Sequence, residues 1–432
     1  KDLQKSKMNN GAEILYVKNV ENKTFNLNYY FDFGYRADKT IDLAADLMDF
    51  LGTSKHTPEQ LQLEFYKLAC NYSLSVGNEN IVVSISGLSE NMEKAMALVE
   101  EIFADIQPNE DALQMLVSRI VKSRNDNKSN QQRAFSALRN YGIYGEDSPT
   151  KDVLSESQLK AYNSQQLCDP IKQLFNYKHR ILYYGPESID NLKSIIARDH
   201  KMPAKFAKTP VNKQLVPKAV NENTIYFVDY NANQTYMQEY IRGDKFDVKI
   251  LPQLNLFNEY FGGSMNAIVF QEMREKRSLA YSAQSYYVTP NRKDGYFTNV
   301  AIIATQNDKL LDAMNAFSEL FEEMPVAEAN FKMAQDAAIS SIRTDRTTKF
   351  SIINSYLTYE KMGFDMKKTR GQILFETYPT LSMQDLVNFN HKYLKGQKKF
   401  YMVLGRESDM DFNALAKFGK VKKLTLNDIF GY

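Results

Sequence analysis

The chain has 432 residues, with 54 Lys and Arg against 52 Asp and Glu, a formal net charge of +2. That near balance argues against a dedicated nucleic-acid binder, and no apolar run is long enough to offer a transmembrane segment. The length predicts two or three domains with room for full cores, and two cysteines, Cys70 and Cys168, exclude a disulfide scaffold: they form one bridge or none, packed free thiols being the plainer reading.

The start, Lys1-Asp2-Leu3-Gln4-Lys5, has neither a methionine nor the apolar core of a signal peptide. It reads as processed or excised from something longer. The chain opens with early strands. His56-Thr57-Pro58-Glu59-Gln60 then opens like the metalloprotease motif H-x-x-E-H, but Gln60 stands where the second imidazole belongs. Thr57 as N-cap, Pro58 at the first helical position and Gln60 completing a capping box explain the stretch better. A hairpin-like pair of strands follows. From Asn91 to Ile106, apolar residues fall at Met92, Ala95, Met96, Val99, Ile102, Phe103 and Ile106, the spacing of one helix face. Two long helices come next, closed near Tyr141 and Gly145. Leu154-Ser155 opens an amphipathic helix, and the strand ILYYG ends at Gly185 before a short terminal helix. His179, just before that strand, reads as a surface or capping residue.

Residues 204–223, with Pro203 before them and Pro210 and Pro217 within, show no sustained apolar period and predict an extended linker. Beyond it the layout repeats. Adding 218 to the seven apolar positions gives Leu310, Ala313, Met314, Phe317, Leu320, Phe321 and Met324, all apolar again. Tyr141 and Gly145 become Tyr359 and Gly363. Leu381-Ser382 matches Leu154-Ser155, and YMVLG before Glu407 matches ILYYG. The unit occupies 1–203 and again 224–432. Strands early and late with helices between predict an α+β fold: two tandem units, each a mostly antiparallel sheet with helices packed on one face.

The segment Phe261 to Tyr281 reads FGGSMNAIVFQEMREKRSLAY. Gly262-Gly263-Ser264 reads as a helix start, with Gly supplying freedom to turn and Ser a cap. Ile268, Val269 and Met273 then form the buried face, and Arg274-Glu275-Lys276-Arg277 a solvated helix end. No Walker lysine follows the glycines, so a phosphate loop is excluded. Tyr286 and Tyr287, on a following strand, read as sheet packing. The four histidines, His56, His179, His200 and His391, never take the spacing that puts two imidazoles on one helix face. A zinc site made by a local motif is not expected.

The duplicated unit and this segment resemble the pitrilysin, insulin-degrading enzyme and mitochondrial processing peptidase family of inverzincin zinc metallopeptidases. The match is to the signature of the non-catalytic, C-terminal-type half: a Phe-Gly-Gly helix start and a helix ending Arg-Glu-Lys-x-x-Leu-Ala-Tyr. Ser278 stands where many relatives have glycine. The resemblance implies that Arg274 and Tyr281, with Gly262, Gly263 and Ser264 nearby, bind substrate near its scissile bond. A guanidinium and a phenol are donors suited to a peptide carbonyl and to developing oxyanion charge. The family places its zinc ligands on the first helix and on a glutamate of the later long helix. Here Leu43 to Leu51 and Leu251 to Phe261 hold no histidine, and no glutamate lies between Glu110 and Glu146. The resemblance therefore implies no catalytic residue and no metal in this chain, with zinc in a partner half that is either covalent or a separate subunit.

Two functions are expected from this. In the first, the chain completes the substrate chamber of a zinc metalloendopeptidase and binds a peptide or small unfolded protein, with the peptide extended along a sheet edge of the zinc half. In the second, it is a non-catalytic structural or peptide-binding subunit, like the family's scaffold members. Relatives of two-half form point to the bacterial periplasm or cell envelope.

Overall fold

The computed structural model describes residues 2–262 and 264–432. The first sheet is built from β1 (Leu3–Lys7), β2 (Glu13–Lys18), β3 (Thr24–Phe31), β4 (Cys70–Val76), β5 (Ile81–Leu88) and β6 (His179–Gly185), in the order β1-β2-β6-β3-β5-β4. The second holds β7 (Thr224–Asp229), β8 (Gln234–Lys245), β9 (Ala283–Val288), β10 (Tyr296–Gln306), β11 (Phe400–Gly405) and β12 (Lys420–Leu424), in the order β12-β7-β11-β8-β10-β9. Without the outer strands β1 and β12, the same five-strand order appears twice. In each, one interior pair is parallel (β2 with β6, β7 with β11) and the other three are antiparallel. The sixth strand differs: β1 enters antiparallel ahead of β2, whereas β12 returns from the C-terminal end parallel to β7. The α+β reading of two similar, mostly antiparallel units holds.

The duplicated helices are Met92–Asp105 and Leu310–Glu322. All fourteen residues matched between them in the sequence, Ile106 and Met324 included, are buried. Gly145 and Gly363 close their helices in the left-handed region, at φ +64° and +71°. The cap at Thr57 forms as expected, with Pro58 opening the helix and Gln60 completing the box. One correspondence shifts. The capped helix after Ser155, Glu156–Ala161, matches by order the capped helix Arg370–Thr377, while Ser382 matches Asn163 at the head of Ser164–Gln173. Repeated N-cap chemistry on neighbouring helices makes adjacent registers look alike in sequence.

Contacts divide the chain into two units that are discontinuous in sequence. The first comprises the chain up to Ser123, Val153–Gln214 and Thr347–Leu357; the second comprises Arg124–Asp152, Leu215–Arg346 and Thr358–Tyr432. Each unit thus includes a helical segment from the other half of the sequence. In the second unit, strand alternation shows why it belongs there. Ile225, Phe227, Met237, Ile241, Tyr401 and Val403 face the main helical core. The intervening Tyr226, Val228, Tyr240, Phe400, Met402 and Leu404 cluster on the other face with Ala134, Phe135, Ala137 and Leu138 of the helix Gln131–Tyr144. A β7 or β11 strand apolar on both faces needs a cover on each. In the first unit, Leu15, Val17 and Leu182 pack in the same way with Ile353.

Residues 201–223 are irregular except for one bridge between Ala207 and Tyr177. In the first unit the Asn212 amide donates to the Asp32 and Glu79 carbonyls and accepts from Gly34 N–H. In the second, Lys218 donates to the Tyr226 hydroxyl at 3.0 Å and sits over the Tyr226 and Phe400 rings. Both cysteines are buried free thiols.

His179 is not at the surface: it is 1 % exposed, inside β6. Its Nε2 lies 2.9 Å from Nε2 of buried His200, whose Nδ1 lies 2.6 Å from a Glu100 carboxyl oxygen. The Tyr177 carbonyl, 2.8 Å from His179 Nδ1, can only accept. So Nδ1 of His179 carries its proton, its Nε2 accepts from His200, and one further proton is held between His200 Nδ1 and Glu100. Burial, with His200 adding to it, pushes the His179 imidazole down to about 3. Its folded value lies below its unfolded value of about 6.5. The stability it leaves intact above that value is therefore lost as pH falls toward the folded value. From this group alone, stability of the first unit should fall by about 1.4 kcal/mol per pH unit between about pH 6 and pH 3. Urea titrations at stepped pH check this, and His179→Leu should flatten the dependence.

Candidate substrate-binding site

The first helix of the second unit, Leu251–Phe261, runs as expected and ends at Gly262. This corrects the reading of Gly262-Gly263-Ser264 as a helix start. Gly262 is the C-cap, with its N–H bonded to the Asn258 carbonyl, and the next helical turn begins only at Ile268 with Ala267 as N-cap. Ser264 instead offers its carbonyl to Ala267 N–H, in a turn. Gly263 lies outside the described residues. The glycine at 262 is required by a close approach. A Cβ there would lie 1.7 Å from the Ser285 carbonyl oxygen of β9.

From Ile268 one α-turn passes into a wider π-turn, Gln271–Lys276. Ile268, Val269 and Met273 are buried, as the periodicity predicts. π-turns displace the side chains that follow and recur at functional sites. Arg274 lies on this turn, about a third exposed, with Nε 3.4 Å from the Glu275 carboxylate. Ser278 then takes the left-handed conformation at φ +49° and reverses the chain. The Lys309 ammonium donates to the Ser278 carbonyl, and the Thr305 hydroxyl to that of buried Leu279. The reversed loop thus rests on the end of β10. It brings Tyr281 back beside Arg274, guanidinium carbon 4.4 Å from the phenol ring centre and 5.0 Å from that of Phe270. Tyr281 is 80 % exposed. The two residues singled out from the sequence therefore form one exposed cation–π pair, worth about 0.5–1 kcal/mol in water. Tyr287 is buried in the sheet and Tyr286 half-buried, which fits packing.

Ser278 explains why glycine suits that position. A non-glycine residue there costs about 1–2 kcal/mol, part of which glycine would return through unfolded-state entropy. Ser278→Gly should stabilise the second unit by about 0.5–1 kcal/mol in thermal denaturation.

The helix matched to the family's zinc position, Lys39–Met48, buries Leu43, Ala44, Leu47 and Met48 and turns Asp42 and Asp46 outward. Among the described residues no three His, Cys, Asp or Glu side chains are grouped to hold a metal. His56, whose motif reads as a cap, also pairs Nδ1 with Glu101 at 2.8 Å. Sequence spacing gave no sign of that contact.

A family model described as the peptidase M16 inactive domain matches residues 180–338. An uncharacterized zinc protease of Rickettsia bellii is 24 % identical over 389 residues, covering 83 % of this chain and 89 % of the relative. Among solved structures, a peptidase M16 inactive domain from Pseudomonas fluorescens aligns with TM-score 0.72 at 17 % identity, over 94 % of this chain and 98 % of that one. The periplasmic protease PqqL from Escherichia coli aligns with TM-score 0.74 at 17 % identity, over 94 % of this chain but only 46 % of its own length. At these identities the structural likeness speaks for the fold. The family model, the zinc-protease relatives and the fold agree: over residues 180–338 the chain is similar to the peptidase M16 inactive domain, and over most of its length it is similar to uncharacterized zinc proteases.

Proposed function

We propose that the chain is the zinc-free half of a pitrilysin-like zinc metalloendopeptidase, completing the substrate chamber and binding peptide for hydrolysis by a zinc-bearing half. The observation that carries this is the exposed Arg274–Tyr281 pair, held on a π-turn and a left-handed reversal. No neighbour buries Tyr281, and a scaffold surface has no need of an arginine stacked on an exposed phenol. The chemistry suits a peptide carbonyl: Arg274 offers fixed N–H donors and the Tyr281 hydroxyl one more. Neither residue can activate water. The zinc and its water belong to the partner half, covalent or separate. Gly262, Gly263 and Ser264 stay in the proposal as the segment that leads into this loop. The periplasm or cell envelope is the proposed compartment, and PqqL is itself periplasmic; fractionation tests it.

In the assembled enzyme, Arg274→Ala should lower kcat/KM by roughly 10- to 150-fold, or about 1.5–3 kcal/mol for a charged hydrogen bond. Tyr281→Phe should cost less. Steady-state kinetics check both, alongside melting curves and association with the zinc half. Unchanged kinetics in a folded, assembled variant would sink this role and leave the structural or peptide-binding subunit as the reading.

A further inference from the structure

The first unit carries a feature of its own that is shaped for a polypeptide. β4 is an edge strand, paired with β5 on one side only. Among the described residues, no backbone group of 71–76 bonds to any other segment. An open strand edge offers a row of free N–H and C=O groups to an incoming strand. A cleft of about 580 Å³ runs along it, lined by Tyr72 to Val76 on one wall and by Asp42, Asp46 and Asp49 on another, with Arg119 at its side. The open edge there, five residues, is about 17 Å long.

The three carboxylates are spaced four and three residues apart, which sets them along one helix face. Among the described residues Arg119, from the helix Glu110–Lys128, is the one cation lining the cleft, and it leans over the Phe50 ring at 5.6 Å. Three negative charges against one positive leave the cleft acidic. The arrangement is costly to the fold. Burial and then the Asp46 charge push the Asp42 carboxyl up to about 6. Burial also raises Asp46, with Arg119 opposing and Asp49 reinforcing. On the facing strand, burial and then Asp49 push the Tyr72 phenol up to about 12. A carboxyl whose folded value is raised loses stability as pH rises from the ordinary carboxylate value to the raised one, and the full cost persists above it. Residues that break a local rule without compensation mark function more often than packing. The corresponding helix of the second unit, Leu251–Phe261, has a single carboxylate, Glu259, so the trio is a property of the first unit and not of the repeat.

We propose that this cleft binds an extended polypeptide segment bearing lysine or arginine, its backbone pairing with β4 and its cationic side chain seated among Asp42, Asp46 and Asp49. The two contributions divide the work: the strand edge accepts any sequence, and the carboxylates select a basic one. The site does not depend on the Arg274 reading, because it asks only for binding by this chain.

The test is a fluorescence-anisotropy titration of the full chain at low salt with three labelled, unstructured peptides of equal length. One is lysine-rich, one glutamate-rich, and one is the lysine-rich peptide N-methylated at alternate residues. The lysine-rich peptide should bind, weaken with added salt, and bind at least tenfold more tightly than the other two. Asp42→Asn with Asp46→Asn should weaken it tenfold or more while the melting temperature holds or rises, an effect that damage to the fold would not produce. Absent binding, equal binding of the glutamate-rich or N-methylated peptide, or an unaffected double variant would overturn the proposal. The turnover test above reads the assembled enzyme through Arg274, whereas this titration is read through Asp42 and Asp46 in the chain alone, so the two outcomes are separable.

Discussion

Replacing Lys399 by alanine is expected to lower the stability of the second unit by about 3–5 kcal/mol, the usual cost of stranding one member of a buried ion pair. The Lys399 ammonium lies 3.1 Å from Glu239, and their side chains are 7 % and 0 % exposed. Burial pushes the Glu239 carboxyl up, and the Lys399 charge and hydrogen bond hold it against that rise. Its second oxygen already has no hydrogen-bond partner among the described residues. Without Lys399 the carboxylate would have no counter-charge at all, and the Phe321 ring, 4.5 Å from the ammonium, would lose its cation. Two controls separate the charge from packing. The deficit should shrink as pH falls, because a protonated Glu239 no longer needs a partner. Replacing both residues by apolar ones of similar volume, Glu239→Leu with Lys399→Met, should recover most of the loss. Urea unfolding of the single and double variants gives the comparison, and a fully additive double variant would refute the coupling.

Gly262→Ala should cost about 3 kcal/mol in the same unit. The reason is contact and not backbone freedom, since Gly262 sits at φ −135°, outside the left-handed region. The added methyl would fall 1.7 Å from the Ser285 oxygen and 2.6 Å from its carbonyl carbon, both main chain in β9. Phe261 and Ser285 are themselves buried, so neither segment can move without disturbing the core. Overpacking of this kind typically costs 1–3 kcal/mol and more where backbone must shift. The control is Gly371, in the helix Arg370–Thr377, where a Cβ meets nothing closer than 3.9 Å. There alanine should stabilise, by roughly 0.5–1 kcal/mol. If both substitutions behave alike in thermal melts, the close approach at 262 is not what glycine is there for.

Two of the misread features have a common cause. Gly-Gly-Ser carries end and start signals alike, because glycine is at home at both termini and serine caps only starts. What settles Gly262 as an end is Ser285, a strand residue more than twenty positions further on. His179 read as superficial because a histidine beside a strand usually is. It is buried because His200 and Glu100, from two other helical segments, complete its hydrogen bonds. Position 399, 220 residues after His179, carries the buried Lys399, so both halves place a basic side chain at the head of the matched strands β6 and β11. Its partner is of a different type in each half, and comparing the two half-sequences does not show it. The cleft along β4 was equally illegible: Asp42, Asp46 and Asp49 are an ordinary solvated helix face until an unpaired strand lies opposite them.

The sequence by itself determined the duplication, the buried face of the repeated helices, the caps at Thr57 and Gly145, and Arg274 and Tyr281 as a candidate pair. The duplication, the buried face and the caps rest on periodicity and local backbone preferences, which act over a few residues and survive without a fold; the pair rests on the family resemblance of its segment. Tertiary structure alone decided that Arg124–Asp152 and Thr347–Leu357 pack outside their own halves, which residues neutralise the buried charges, and that Tyr281 stacks on Arg274. Each of these depends on groups far apart in the chain, and burial makes their pairing strong only once the sheets have formed around them. The histidine scarcity and near-zero net charge set the first limits on function. The fold added what they could not show: one exposed Arg–Tyr pair and one acidic strand-edge cleft.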